Sequence, residues 1–175
     1  MNSNKLDVYP HNFSEKIGYT EVRHILEGYC ASTLGQEEMQ RLEASCDTIE
    51  IARALDESRE MMTILSGESV LPSLALVDCS EVLRRIRPQG TYIEEEELLD
   101  LLRMLETLHS LQHFFLEEHV SGDRAQETFA YTYPRLSELL QDTPSFPKVE
   151  SHLRSLLTEE GKLRDNASRE LLRIR

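Results

Sequence analysis

Tryptophan is absent from the chain, and aromatic residues make up only 6% of its 175 positions. A core of ordinary size must then rest on Leu, Ile, Val and Met. Cysteine is scarce too: Cys30, Cys46 and Cys79 are an odd number at wide spacing, with no C-x-x-C. That excludes a zinc ribbon and a thioredoxin-like redox motif. The expectation is buried or half-buried free thiols in a reducing compartment. The seven glycines are scattered. Neither G-x-G-x-x-G nor G-x-x-x-x-G-K-[ST] can be written from them, which excludes both common nucleotide-binding loops. No G-x-S-x-G elbow exists either. Long apolar runs are missing: no stretch approaches the ~20 residues of a spanning helix. The opening MNSNKLDVYPHNF lacks the apolar segment of a signal peptide. A soluble cytoplasmic protein with no membrane partner is expected. Positive charge is short, with 19 Lys and Arg against 32 Asp and Glu, a net charge of −13. On average the field repels phosphate, so neither an autonomous nucleic-acid binder nor a polybasic membrane binder fits.

What is present is helical periodicity almost throughout. Val22, Ile25, Leu26 and Tyr29 mark a first helix, and Met39 and Leu42 a second. Thr48 is expected to cap a longer one that runs to Gly67. Ser69 to Val77 contains Pro72 and reads as a packed connector rather than a strand. Asp78 with Glu81 resembles a capping box for a short helix bearing Val82, Leu83 and Ile86. Thr91 with Glu94 is a second box, and Glu94 to Glu97 put four carboxylates at the positive end of the next helix. That helix is the dominant element, expected over about residues 94–118, with Leu98, Leu101, Leu102, Leu105, Leu108, Leu111 and Phe115 on one face. Val120 to Ala130 reads as a loop. Pro134 and Pro147 each start a helix, the second over Lys148 to Leu157; Gly161 closes that segment, and Ser168 is expected to cap a last helix. The predicted fold class is all-α, an irregular bundle of about seven or eight helices with one long helix.

His109 and His113 share a helix face one turn apart, with Glu117 one turn further. This differs from H-E-x-x-H, and the pair is expected to flank the buried stripe rather than hold metal. Four successive acids point around a full turn, so Glu94 to Glu97 do not converge on a cation. No catalytic, cofactor-binding or metal-ligating residue is therefore assigned. Charge position is more informative. Residues 162–175 carry Lys162, Arg164, Arg169, Arg173 and Arg175 against two acids, a net +3, while the first 161 residues carry −16. A smaller basic group is Arg84, Arg85 and Arg87. The five C-terminal cations are the candidate nucleic-acid contacts, against a solvated helix face. Arg169 to Arg175 is barely two helical turns and reads as the root of a longer helix.

The block Gly161 to Arg175, GKLRDNASRELLRIR, resembles a signature of the second MutS subfamily, the bacterial MutS-like proteins without mismatch-reading domains. Asp165, Ala167, Ser168, Glu170, Leu171, Ile174 and Arg175 match it, and Arg169 stands where Pro is frequent. Lys16-Ile17 through Leu34-Gly35-Gln36-Glu37 resembles that family's opening helix pair. Arg85-Ile86-Arg87 through Glu97-Leu98-Leu99 resembles its next helix entry. The resemblance implies an N-terminal helical core domain over residues 1–161. Residues 162–175 would then begin a lever helix leading to a clamp domain absent from this chain. It also implies a parent homodimer that binds branched or recombining DNA, or in some members a ribosome. That parent would carry an ATPase using ATP and magnesium, and often an endonuclease domain. This chain itself carries no such motif and no cofactor, so the implied role is non-catalytic. The competing reading is a self-contained acidic helical module for protein interaction or dimerisation.

Overall fold

The computed structural model describes residues 9–67, 70–116, 118–119, 127–168 and 171–174. Ten helices and one two-stranded pairing occur among them. Three of the helices, α1 (Phe13–Lys16), α7 (Phe129–Thr132) and α10 (Leu171–Ile174), are single turns of four residues. The other seven are α2 (Tyr19–Tyr29), α3 (Thr33–Arg41), α4 (Thr48–Ser66), α5 (Ser80–Arg85), α6 (Glu95–Leu116), α8 (Pro134–Gln141) and α9 (Pro147–Leu156). The all-α expectation holds. The chain divides into two compact units, Met1–Met62 and Thr63–Arg175, with the division falling inside α4.

In the first unit α2 packs against α1 and α3. Ser32 caps α3, its Oγ accepting the Gly35 N–H at 3.1 Å. Capping of α4 differs from the expectation. The Asp47 carboxylate, not Thr48, accepts the N–H groups of Ile49 and Glu50 at 2.9 and 3.2 Å. An Asp one position earlier reaches the same orphan donors and adds negative charge at the positive helix end. None of the described residues of this unit is buried.

The second unit is built on α6, whose 22 residues span about 33 Å at 1.5 Å per residue. Leu101, Leu102 and Leu105 are buried with Cys79, and with Leu153 and Leu157 from α9 and its end. Val77, Leu98, Leu99, Met104 and Leu163 pack around them. Toward the other end of α6, Phe115 is buried together with Tyr133 and Leu136. Phe114 meets Phe115 edge-on at 5.0 Å and stacks on Phe129 at 4.8 Å, which in turn meets Tyr133 at 5.6 Å. Four of the eleven aromatics thus form one cluster that can seat α7 and α8 on α6. The segment expected to be a packed connector is irregular from Val70 on but only partly packed: Leu71, Pro72, Ala75 and Val77 are half-buried, while Val70, Leu74 and Leu76 are exposed. Its Ala75 N–H donates to Thr107 Oγ1 on α6 at 3.0 Å.

Five expectations need correction. The long helix ends at Leu116; 117 lies outside the described residues, and Glu118–His119 pairs antiparallel with Glu127–Thr128. The segment read as a loop from Val120 to Ala130 therefore ends in a short strand and the start of α7, and its positions 120–126 lie outside the described residues. The helix-capping box is displaced by one turn. Thr91 Oγ1 donates to the Pro88 carbonyl, while the Glu97 carboxylate turns back to accept the Glu94 N–H at 2.9 Å. Glu94 then has the N-cap role and Glu97 the third-residue role, so a Thr-x-x-Glu spacing marks a turn that leads into the helix rather than the cap itself. Asp78 likewise forms a local turn, accepting the Ser80 N–H at 2.8 Å, instead of capping with Glu81. Of the thiols, Cys79 is buried and Cys30 half-buried, but Cys46 is exposed, because it sits in the open segment before α4. Pro134 and Pro147 do open their helices.

Candidate functional site

Two clusters in the second unit hold most of its long-range polar contacts. The first surrounds the N-terminal turn of α6. Leu157, just past α9, bridges antiparallel to Leu163. The turn between them is closed by Thr158 N–H to the Lys162 carbonyl at 2.7 Å and Gly161 N–H to the Thr158 carbonyl at 3.0 Å. Gly161 adopts φ 80°, the left-handed region where a Cβ is costly. It is also buried, and a Cβ there would overlap Leu99 Cδ2, with Leu99 Cδ1 and Cγ at 3.2 Å. The exposed Leu163 N–H donates to the Glu95 carboxylate on α6. Glycine thus serves both the turn and the close approach to α6.

The same helix end holds a second segment. The Arg85 guanidinium pairs with Glu97 and donates to the Tyr92 carbonyl at 3.3 Å. The backbone N–H of Glu94 and the Arg85 guanidinium hold the Glu97 carboxyl below its usual range. The first-turn acids are therefore anchors for two approaching segments as well as partners of the helix dipole.

This geometry sorts the predicted contact residues. Lys162 and Arg164 come together on one turn, and both are exposed. Arg164 is partly committed: its Nε donates to the Leu157 carbonyl at 2.6 Å. Both cations also help to lower the Glu160 carboxyl, after the hydrogen bonds from Thr158 and the Glu160 backbone. Arg173 is exposed on α10. Arg169 and Arg175 lie outside the described residues.

The second cluster joins α6 to α9. Arg154 Nη2 pairs with Glu106 at 2.7 Å and with Glu150 at 2.8 Å. The other oxygen of Glu150 meets His109 Nδ1 at 3.0 Å. Glu150 is buried, with a side chain 10% exposed, while His109 is 57% exposed. Both Glu150 oxygens are satisfied, which a buried carboxylate requires. Hydrogen bonding to Glu106, with the two carboxylate charges, holds Arg154 firmly in its charged form. Open clefts of about 360 and 620 Å³ lie on either side, and both reach His109, His113 and Glu150. Among the described residues no three His, Cys, Asp or Glu side chains are arranged to hold a metal ion. Glu117 lies outside them. Sequence reasoning found His109 but missed its partner, because 41 residues separate it from Glu150. Only the Glu150–Arg154 spacing of four carried a readable signal.

Among the described residues no helix is long and apolar enough to cross a membrane. No family profile matches the sequence. Individual relatives do. The chain is 29% identical over 157 residues to an Endonuclease MutS2 of Alkaliphilus oremlandii and, equally, to one of Clostridium botulinum (strain Eklund 17B / Type B). Each match covers 90% of this chain and 19% of the relative. An Endonuclease MutS2 of Pediococcus pentosaceus is 25% identical over all 175 residues, 20% of its own length. The chain thus spans about a fifth of the length of the curated relatives it matches. Together with the block at Gly161 to Arg175, these relatives support the chain as an N-terminal portion of a MutS2-type protein.

Proposed function

We propose that this chain is the non-catalytic, mechanical beginning of a DNA-binding ATPase, and that it passes the nucleotide state of the parent protein to a DNA clamp. In this reading residues 1–161 belong to the helical core and residues 162–175 begin the lever. The parent is a cytoplasmic homodimer that uses ATP and magnesium, grips branched or recombining DNA and opposes recombination. An endonuclease activity resides outside this chain, in keeping with the name its relatives bear.

The observation that carries the proposal is the docking of the 157–164 turn on the first turn of α6, through Gly161 against Leu99 and Leu163 N–H to Glu95. A lever transmits force only if its root is fixed to a stiff element. Here the root leaves from a glycine turn locked onto a 22-residue helix. The charge balance supports a mechanical rather than a gripping role, since phosphate binding draws on clustered cations.

The test uses the full-length protein. Gly161→Leu should uncouple nucleotide from DNA, abolishing the difference in branched-DNA affinity between ATP- and ADP-bound forms. ATP turnover without DNA should stay within about twofold. A full nucleotide-dependent difference in that variant would refute the coupling role. The 175-residue chain alone should bind branched DNA only weakly, and a sub-micromolar, salt-sensitive affinity would contradict the proposal.

A further inference from the structure

The buried carboxylate of Glu150 fixes more than the contact between α6 and α9. One of its oxygens meets Arg154 Nη2 at 2.8 Å and the other meets His109 Nδ1 at 3.0 Å. A carboxylate paired with a guanidinium only accepts, so His109 donates from Nδ1. The neutral imidazole is then held as the tautomer whose Nε2 carries the lone pair. Arg154 is anchored in turn by Glu106 at 2.7 Å, so the group that orients the ring is tied to both helices. His109 is exposed, and both clefts beside it reach the ring. His113 stands one turn further along α6, also exposed, and lines the same two clefts. Residues four apart on a helix have Cβ atoms about 5–6 Å apart, near enough for two imidazoles to share one ion.

We propose that His109 Nε2 and His113 form a two-imidazole site for a divalent transition-metal ion of the zinc type, with Glu150 as the positioning residue and solvent completing the coordination. This inference stands apart from the lever reading above. A metal-bound histidine characteristically donates its other ring N–H to a carboxylate, which orients the ring and raises its basicity. Here that carboxylate is already in place, so the ring has little freedom left to lose on binding. Imidazole donors suit zinc, nickel and copper, whereas magnesium and calcium take oxygen ligands. Glu106 and Glu150 are committed to Arg154 and His109, and so stand behind the ligands rather than among them. That agrees with the lack of any three converging His, Cys, Asp or Glu side chains among the described residues. The pair flanks the buried stripe, as its spacing predicts, and on that flank solvent can reach a bound ion.

The probe is Zn²⁺, titrated calorimetrically into the 175-residue chain carrying Cys46→Ser, which removes the exposed thiol. Binding should saturate at one ion per chain with micromolar affinity. His109→Ala and His113→Ala should each weaken it tenfold or more, with helical circular dichroism unchanged. His152→Ala, at an exposed position on α9, should leave it intact. Glu150→Gln keeps the shape of the side chain and should weaken binding about tenfold, as loss of a carboxylate behind a ligand does. Imidazole nitrogen NMR supplies a readout that a merely structural Glu150 would not move. His109 should carry its proton on Nδ1 in the metal-free chain, Zn²⁺ should shift its Nε2 resonance, and Glu150→Gln should admit the other tautomer. No saturable binding in the micromolar range would overturn the proposal. So would undiminished binding in either histidine variant, an equal loss in His152→Ala, or a proton on Nε2 of His109 in the metal-free chain.

Discussion

Replacing Gly161 by alanine tests whether the 157–164 turn is locked onto α6. Two costs are written into the position. Its φ of 80° lies where an L-residue is disfavoured by roughly 1–2 kcal/mol. The new methyl would also collide with Leu99, a residue packed against the buried cluster. Inserting a methyl into packed surroundings costs about 1–3 kcal/mol when neighbours must shift. The sum is a loss of about 2–5 kcal/mol, a large share of an ordinary domain's stability. Urea unfolding followed by circular dichroism at about 222 nm reads the shift in midpoint. The two costs separate in a double-mutant cycle with Leu99→Ala. Removing the Leu99 side chain relieves the collision but not the backbone strain. Gly161→Ala should then cost only about 1–2 kcal/mol in the Leu99→Ala background. A loss below about 0.5 kcal/mol in the native background, typical of an unconstrained surface site, would refute the docking geometry. An equal loss in both backgrounds would show that Leu99 is not the contact.

Arg154→Met leaves the buried Glu150 with His109 alone, and should destabilise the second unit by about 1–2 kcal/mol, discounted because Arg154 is 60% exposed; an unchanged urea midpoint would sink the role of this ion network. The Glu97 carboxyl is lowered in the fold, chiefly by the Glu94 N–H, so its contribution is full above the ordinary value near 4.5 and fades as pH falls through the lower folded value. Glu97→Gln should therefore lessen the loss of stability on acidification below about pH 5, whereas Thr91→Ala should leave the acid limb unchanged; acid titrations by circular dichroism compare the three proteins. Cys46 should react with a thiol reagent at once, Cys30 more slowly and Cys79 last. Cys79 is buried and desolvation raises its thiol pKa, so a first-phase modification mapped to Cys79 would contradict the packing.

The apolar rhythm of the chain was enough to predict a helical protein, the dominance of α6 and the two proline-initiated helices. These features rest on local rules: the 3.6-residue period, the fixed φ of proline and the helix dipole. The basic character of residues 162–175 and the family-like block at Gly161 were likewise legible, since composition and motif need no partner. Local rules failed where two groups compete for one role. Thr91 and Glu94 both fit a cap, and Asp47 and Thr48 both fit another. Chain trajectory decided between them, because the side-chain acceptor that reaches the free N–H groups depends on where the preceding segment enters.

The sequence by itself therefore determined the class of structure and the kind of relative to which the chain is similar. Only the tertiary structure decided what its charged and small residues do. Glu150 finds His109 across 41 residues, Arg154 finds Glu106 across 48, and Leu163 finds Glu95 across 68. Such pairs follow from α9 and the turn after it folding back along α6, and no local periodicity encodes that approach.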